Sequence, residues 1–182
     1  MDRAYLDSKI RKVPNFPKPG ILFFDITTLF EDKEAFKKII DELCQPYEGK
    51  GIEKVVGIDA RGFLLASVVA YKLGAGLSVV RKKGKLPYAT KQASYEKEYE
   101  PDTIEMHQDT IKPGEKVIII DDLLATGGTI LATVDLVKQM GGEIVGIDVI
   151  INLSFLPGLK KLAELNYPVH FLIDYDNENI ES

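Results

Sequence analysis

Hydrophobic positions along the chain follow two rhythms, and their alternation predicts the architecture. Short, mostly apolar runs rich in Val and Ile occupy 55–58, 77–81, 117–120, 144–151 and 169–173. They are too short for helices and lack strict polar alternation, as expected of strands buried on both faces of a parallel sheet. Between them the spacing lengthens to that of helices. Asp32 is placed to cap a helix carrying Phe36, Ile39, Ile40, Leu43 and Cys44, which ends at Pro46. A second helix is predicted over 63–73, stopped by Gly74 and apolar nearly all round, as if packed between the sheet and another element. A third presents Ile130, Leu131, Val134, Val137 and Met140 on one face and stops at Gly141 and Gly142, and a last one covers 157–166. Strands alternating with helices predict an α/β fold: a twisted, mostly parallel sheet flanked by helices, with right-handed crossovers.

Two stretches depart from this rhythm. Residues 13–20, Val-Pro-Asn-Phe-Pro-Lys-Pro-Gly, are stiffened by three prolines and deliver a short apolar run at 21–26. On composition that segment is either an edge packed on the core or a flap whose aromatic residues cover a flat ligand. Residues 88–112 are polar and too long for an ordinary connection, so they read as a lid. Loose alternation at 95–99 and 102–106 predicts that it is a mobile two-stranded arm.

Composition narrows the function classes. With 182 residues and 45% hydrophobic content the chain forms one domain with a real core. A net charge of −5 disfavours nucleic-acid binding, which needs excess basic charge to displace counterions. The single cysteine, Cys44, excludes an intramolecular disulfide and a cysteine-built zinc site. No apolar leader or membrane-length span is evident, so no membrane partner and a cytoplasmic location are expected.

The chemistry concentrates at 117–129. The strand Val-Ile-Ile-Ile ends in Asp121 and Asp122, followed by Leu-Leu, then Ala125, Thr126, Gly127, Gly128 and Thr129 at the start of a helix. Helix N-termini present unpaired N–H groups and a partial positive charge, and small residues let a phosphate approach them. The two carboxylates are acceptors for vicinal hydroxyls, or for a metal that bridges to them. A phosphate cradle beside hydroxyl-binding acids describes a phosphorylated sugar. The loop lacks both the lysine of an NTPase P-loop and the glycine spacing of a dinucleotide site. Taken alone, Arg61 in the turn Asp59-Ala60-Arg61-Gly62 is a solvated surface charge. The basic turn Arg81-Lys82-Lys83-Gly84-Lys85 is either a solvated loop or a home for pyrophosphate.

The stretch at 117–129 resembles the signature by which type I phosphoribosyltransferases hold 5-phosphoribosyl-1-pyrophosphate (PRPP). Together with the segments at 19–23, 59–63, 81–87 and 94–99, the likeness extends over nearly the whole chain, to the adenine-specific members of that family. It implies a single phosphoribosyltransferase domain with a small N-terminal hood (about 1–30) and a flexible catalytic arm (about 85–112). It also implies transfer of the phosphoribosyl group from PRPP to adenine, with Mg2+, in a homodimer. By the same resemblance, Asp121, Asp122 and residues 125–129 hold the ribose 5-phosphate, the two acids meeting Mg2+ only indirectly or through PRPP. Ala60, Arg61, Arg81, Lys82 and Lys85 meet the pyrophosphate, Arg81 reaching from the neighbouring subunit, and the Asp59-Ala60 peptide is cis. Leu22, Phe23 and Leu153 form the adenine site, with Phe23 stacking on the base. Glu98 and Arg61 are the expected catalytic residues, Glu98 handling a proton on the imidazole edge, and Tyr99 helps close the lid. Phe24, in the same adenine segment, departs from the pattern: many members have arginine there, so only a backbone contact is expected to survive.

Two other functions fit parts of the pattern. A phosphoribosyltransferase for hypoxanthine, guanine or xanthine needs a donor at the base's C6 edge, and 151–155 offers no lysine for it. A PRPP-sensing regulator would keep the fold without Glu98 and the basic turn.

Overall fold

The computed structural model describes residues 3–96 and 101–177. In chain order the elements are α1 (Arg3–Lys9), β1 (Arg11–Pro14), β2 (Leu22–Asp25), α2 (Thr27–Glu31), α3 (Lys33–Cys44), β3 (Lys54–Ile58), α4 (Arg61–Leu73), β4 (Gly76–Lys82), β5 (Thr90–Tyr95), β6 (Asp102–His107), β7 (Lys116–Leu124), α5 (Gly128–Gln139), β8 (Glu143–Leu153), α6 (Gly158–Ala163) and β9 (Val169–Tyr175). A seven-stranded sheet in the order β5-β6-β4-β3-β7-β8-β9 forms the body. Its β4-β3-β7-β8-β9 part is parallel, while β6 pairs antiparallel with both β4 and β5.

The β7 strand shows why its sequence has no polar alternation. Ile118 and Ile120 join a core with Ile39, Leu43, Leu65 and Val69 on the α3–α4 side, whereas Val117 and Ile119 join a core with Ile130, Val134 and Val137 on the α5 side. Successive side chains of a strand point to opposite faces, so a strand covered on both must be apolar throughout. Asp32 caps α3 as expected, its carboxylate accepting from the Glu34 and Ala35 amides, both at 3.0 Å.

Several expectations need correction. The strand β7 does not stop at the two acids. Asp121, Leu123 and Leu124 continue the ladder opposite Val149, Ile151 and Asn152, so both carboxylates stand within the strand. The helix α4 begins at Arg61 rather than at residue 63 and is not covered all round, since Leu64 is 51% and Tyr71 89% exposed. The last helix is shorter than 157–166, ending at Ala163. The arm's first described strand is Thr90–Tyr95, beginning well before the expected 95–99, of which 97–99 lie outside the described residues, and its partner is stitched to the main sheet by Arg81↔Glu105 and Lys82↔Ile104. Ile104 and Met106 are buried, so the base of the arm belongs to the core. At the N-terminus, α1 and α2 were not foreseen, and β1 and β2 form a separate antiparallel hairpin with Pro14 opposite Leu22.

Candidate active site

The sheet order places the site. From β3 the chain passes to β4 on one side, while β7 lies on the other and leads on to β8, so the strand order reverses between β3 and β7. In parallel α/β sheets the crevice beyond the carboxyl ends of strands at such a reversal holds ligands. Both segments singled out in the sequence, 59–61 after β3 and 121–129 in and after β7, meet there.

The loop after β7 turns tightly into α5. Gly127, at the N-cap, has φ of 81°, and a Cβ there would lie 3.1 Å from the Cα of Gly158. A side chain is therefore disfavoured both by conformation and by space. Gly128 opens the helix with Tyr95 of the arm directly over it, so that a Cβ would meet the ring at 2.6 Å. Residues Asp121 and 123–130 line an open cavity of about 90 Å³. The first N–H groups of α5, which have no partner within the helix, point to this end.

Arg61 joins the N-terminal hairpin to β7. It is the first residue of α4, preceded by Ala60 at the N-cap, and the Asp59-Ala60 peptide is cis. Its Nε lies 2.6 Å from the carboxylate of Asp122, and its guanidinium stands 5.1 Å from the centroid of the Phe23 ring. Asp122 is buried, while Asp121 is half-buried. Burial first, and the neighbouring charge of Asp122 second, raise the Asp121 carboxyl well above the usual carboxylate range.

The basic turn is braced by residues that sequence reading passed over. Arg81 Nε lies 2.9 Å from Asp59, in the turn that carries Ala60 and Arg61. Lys82 Nζ stands 3.6 Å from Asp102. The amides of Lys85 and Leu86 donate to Glu105 at 3.0 and 3.1 Å, and the Thr90 hydroxyl donates to its other oxygen at 3.2 Å. Glu105 is 3% exposed, and burial pushes its carboxyl up. The hydrogen bonds from Leu86, Thr90 and Lys85 outweigh this, so the group is held below its ordinary range. A glutamate between Ile104 and Met106 gave only a faint signal, an acid where the strand pattern calls for core.

Of the residues expected to meet the base, Leu22 is half-buried and Leu153 is buried at the end of β8. The Phe23 ring also meets Phe16 edge-on, with centroids 5.1 Å apart. The Phe24 side chain is 4% exposed and stacked on Tyr175, turned into the core, so it cannot line the base as a side chain. The period-two geometry of a strand that aims Phe23 at the crevice obliges Phe24 to face away. Glu98 and Tyr99 lie outside the described residues. No cluster of three or more metal-ligating side chains occurs among the described residues. The Asp121–Asp122 pair suits an ion delivered with substrate phosphates, since Mg2+ commonly binds through one or two carboxylates and the substrate. None of the helices among the described residues is long and apolar enough to cross a membrane.

Comparison with known proteins agrees with this geometry. The profile of the phosphoribosyl transferase domain matches residues 27–173. The adenine phosphoribosyltransferase of Trichlorobacter lovleyi is 55% identical over 85% of this chain and 91% of its own length. That of Rhizobium leguminosarum is 49% identical over 93% of this chain and 94% of its own. Among solved structures, the Rhodothermus marinus adenine phosphoribosyltransferase superposes with a TM-score of 0.91 at 48% identity, covering 95% of this chain and 98% of that one. The Saccharomyces cerevisiae enzyme, solved with adenine and an imino-altritol bisphosphate, gives 0.87 at 38% identity over 94% of this chain and 98% of that one. With the domain profile spanning most of the sequence and relatives near half identity over nearly its full length, the chain belongs to the adenine phosphoribosyltransferases of the phosphoribosyl transferase family.

Proposed function

We propose that the chain transfers the 5-phosphoribosyl group of PRPP to adenine, giving AMP and pyrophosphate, a purine-salvage reaction. The observation that carries this reading is Arg61: one side chain contacts both Phe23, on the base side, and Asp122, on the sugar side, at the sheet's reversal point. The 5′-phosphate rests on the amides of Ala125, Thr126, Gly127, Gly128 and Thr129, and the ribose hydroxyls on Asp121 and Asp122. Adenine lies between Phe23 and Leu153, flat faces giving much of its binding. The bond from the anomeric carbon to the pyrophosphate oxygen breaks as the bond to the adenine nitrogen forms, and a proton on the imidazole edge of the base passes to Glu98. Positive charge on the ribose during this exchange is met by the two aspartates. Arg61, Lys82 and Lys85, with Arg81 from the partner subunit, receive the negative charge of the leaving group. Asp121 and Asp122, together with the phosphates of PRPP, would hold Mg2+, which would supply further positive charge for the departing pyrophosphate.

A homodimer and a cytoplasmic location complete the reading. Leu64 and Tyr71, seven residues apart and so on one face of α4, are left exposed as a dimer contact would use them.

Pyrophosphate release measured with adenine, hypoxanthine, guanine and xanthine tests the reaction. Turnover is expected with adenine; preference for a 6-oxopurine or silence with every base would replace the assignment. Glu98→Ala should lower kcat by about 10²-fold or more while leaving PRPP affinity nearly unchanged.

A further inference from the structure

The adenine site has two walls, Phe23 on the N-terminal hairpin and Leu153 at the end of β8, and they belong to different sheets. Something must hold them at a fixed separation. Tyr175, the last residue of β9, touches both structures. In the β8–β9 ladder it is the Cα partner of Leu153, and its carbonyl accepts from the Ser154 amide at 2.9 Å. Its ring stacks on Phe24 with centroids 4.2 Å apart and planes at 20°. The ammonium of Lys12, the cross-strand partner of Phe24, stands 5.1 Å from the centre of the same ring. Asp7 of α1 accepts a hydrogen bond from the Tyr175 hydroxyl and pairs with Lys12 at 3.1 Å.

Resting on the adenine reading above, we propose that Tyr175 is a positioning residue for base binding. Through Phe24 it fixes where Phe23 stands, and through the ladder it fixes this relative to Leu153. Phe23 and Phe24 are consecutive in one strand, so clamping one on the core side aims the other at the base. The phenylalanine that stands where many family members have arginine is therefore a structural part of the base site, stacking an uncharged ring on Tyr175 within the core. Burial, reinforced by the bond to Asp7, raises the Tyr175 phenol above its ordinary range, so the hydroxyl stays a donor at any working pH.

Steady-state kinetics on Tyr175→Leu, Tyr175→Phe, Phe24→Leu and Phe23→Ala test the proposal, each variant first checked for a cooperative melt. Tyr175→Leu and Phe24→Leu should raise KM for adenine about tenfold, a change equal to about 1.4 kcal/mol, with KM for PRPP within about twofold of wild type. Tyr175→Phe keeps the ring stack and should restore most of the adenine affinity. If Tyr175→Leu fails to fold, Phe24→Leu removes the same stack while leaving an apolar side chain in the core. An unchanged adenine KM in a folded stack variant, or a parallel rise of both KM values, overturns the proposal. An unchanged adenine KM in Phe23→Ala would instead remove Phe23 from the base site, so the two failures are distinct.

Discussion

At the scale of single residues, buried carboxylates are held by hydrogen bonds, and one of them, in β8, has a titration consequence. Asp148 lies in the middle of β8 at 1% exposure, hydrogen-bonded by Tyr47 and 3.3 Å from His170 Nδ1. Burial raises its carboxyl, partly offset by the bonds from His170 and Tyr47. The bond to Asp148 raises His170 above its ordinary 6.5, against desolvation and the charge of Lys50. A histidine with a raised folded value contributes stability that is whole below about pH 6.5 and is lost as the pH climbs through that raised value. Asp148, also raised, pulls in the same direction. The melting temperature of wild type should thus exceed that of His170→Gln most below pH 6.5, with the gap narrowing toward pH 9. A gap that is flat or widens with pH would show that the pair does not act this way.

At the scale of elements, the hairpin β5–β6 does more than carry a lid. Its second strand joins the arm to β4 and places Glu105 under the basic turn, where three donors converge on one buried carboxylate. Glu105→Ala would leave those donors without their acceptor, a loss of about 1–3 kcal/mol for buried groups. The expected outcome is a lower melting temperature and a several-fold higher KM for PRPP, with adenine KM little altered. Glu105→Gln, which keeps an acceptor, should fall between, and equal losses for both substrates would mean a purely structural part. The α4 helix makes a related point: its first residue, Arg61, reaches both Asp122 and Phe23 because the preceding turn ends where β3 meets the crevice.

At the scale of the whole molecule, the same helix shows an unpartnered face. Leu64 and Tyr71 stand 51% and 89% exposed although α4 is among the most apolar segments of the chain. Contiguous exposed apolar patches mark association sites, and the two side chains share one face of the helix, which makes that face the place to test for one. Light scattering should give a mass about twice the 20.3 kDa of the chain. Leu64→Glu with Tyr71→Glu should move it toward one chain, with PRPP affinity falling if Arg81 serves the partner. A wild-type mass of one chain would remove the dimer from the reading.

The sequence by itself determined the alternation of helices and strands from α3 through β4 and from β7 to β9, the cap at Asp32, the tight glycine turn into α5 and the family resemblance, because each is written in neighbouring residues: periodicity, a capping carboxylate, glycine at a sharp turn. Only the tertiary structure decided that Arg61 joins Asp122 to Phe23, that Glu105 braces residues 85–86, that Phe24 belongs to the core, and that one face of α4 stays bare. These depend on residues far apart in the chain meeting across the reversal of the sheet, or on which face of a strand a partner covers. Local pattern holds no record of either.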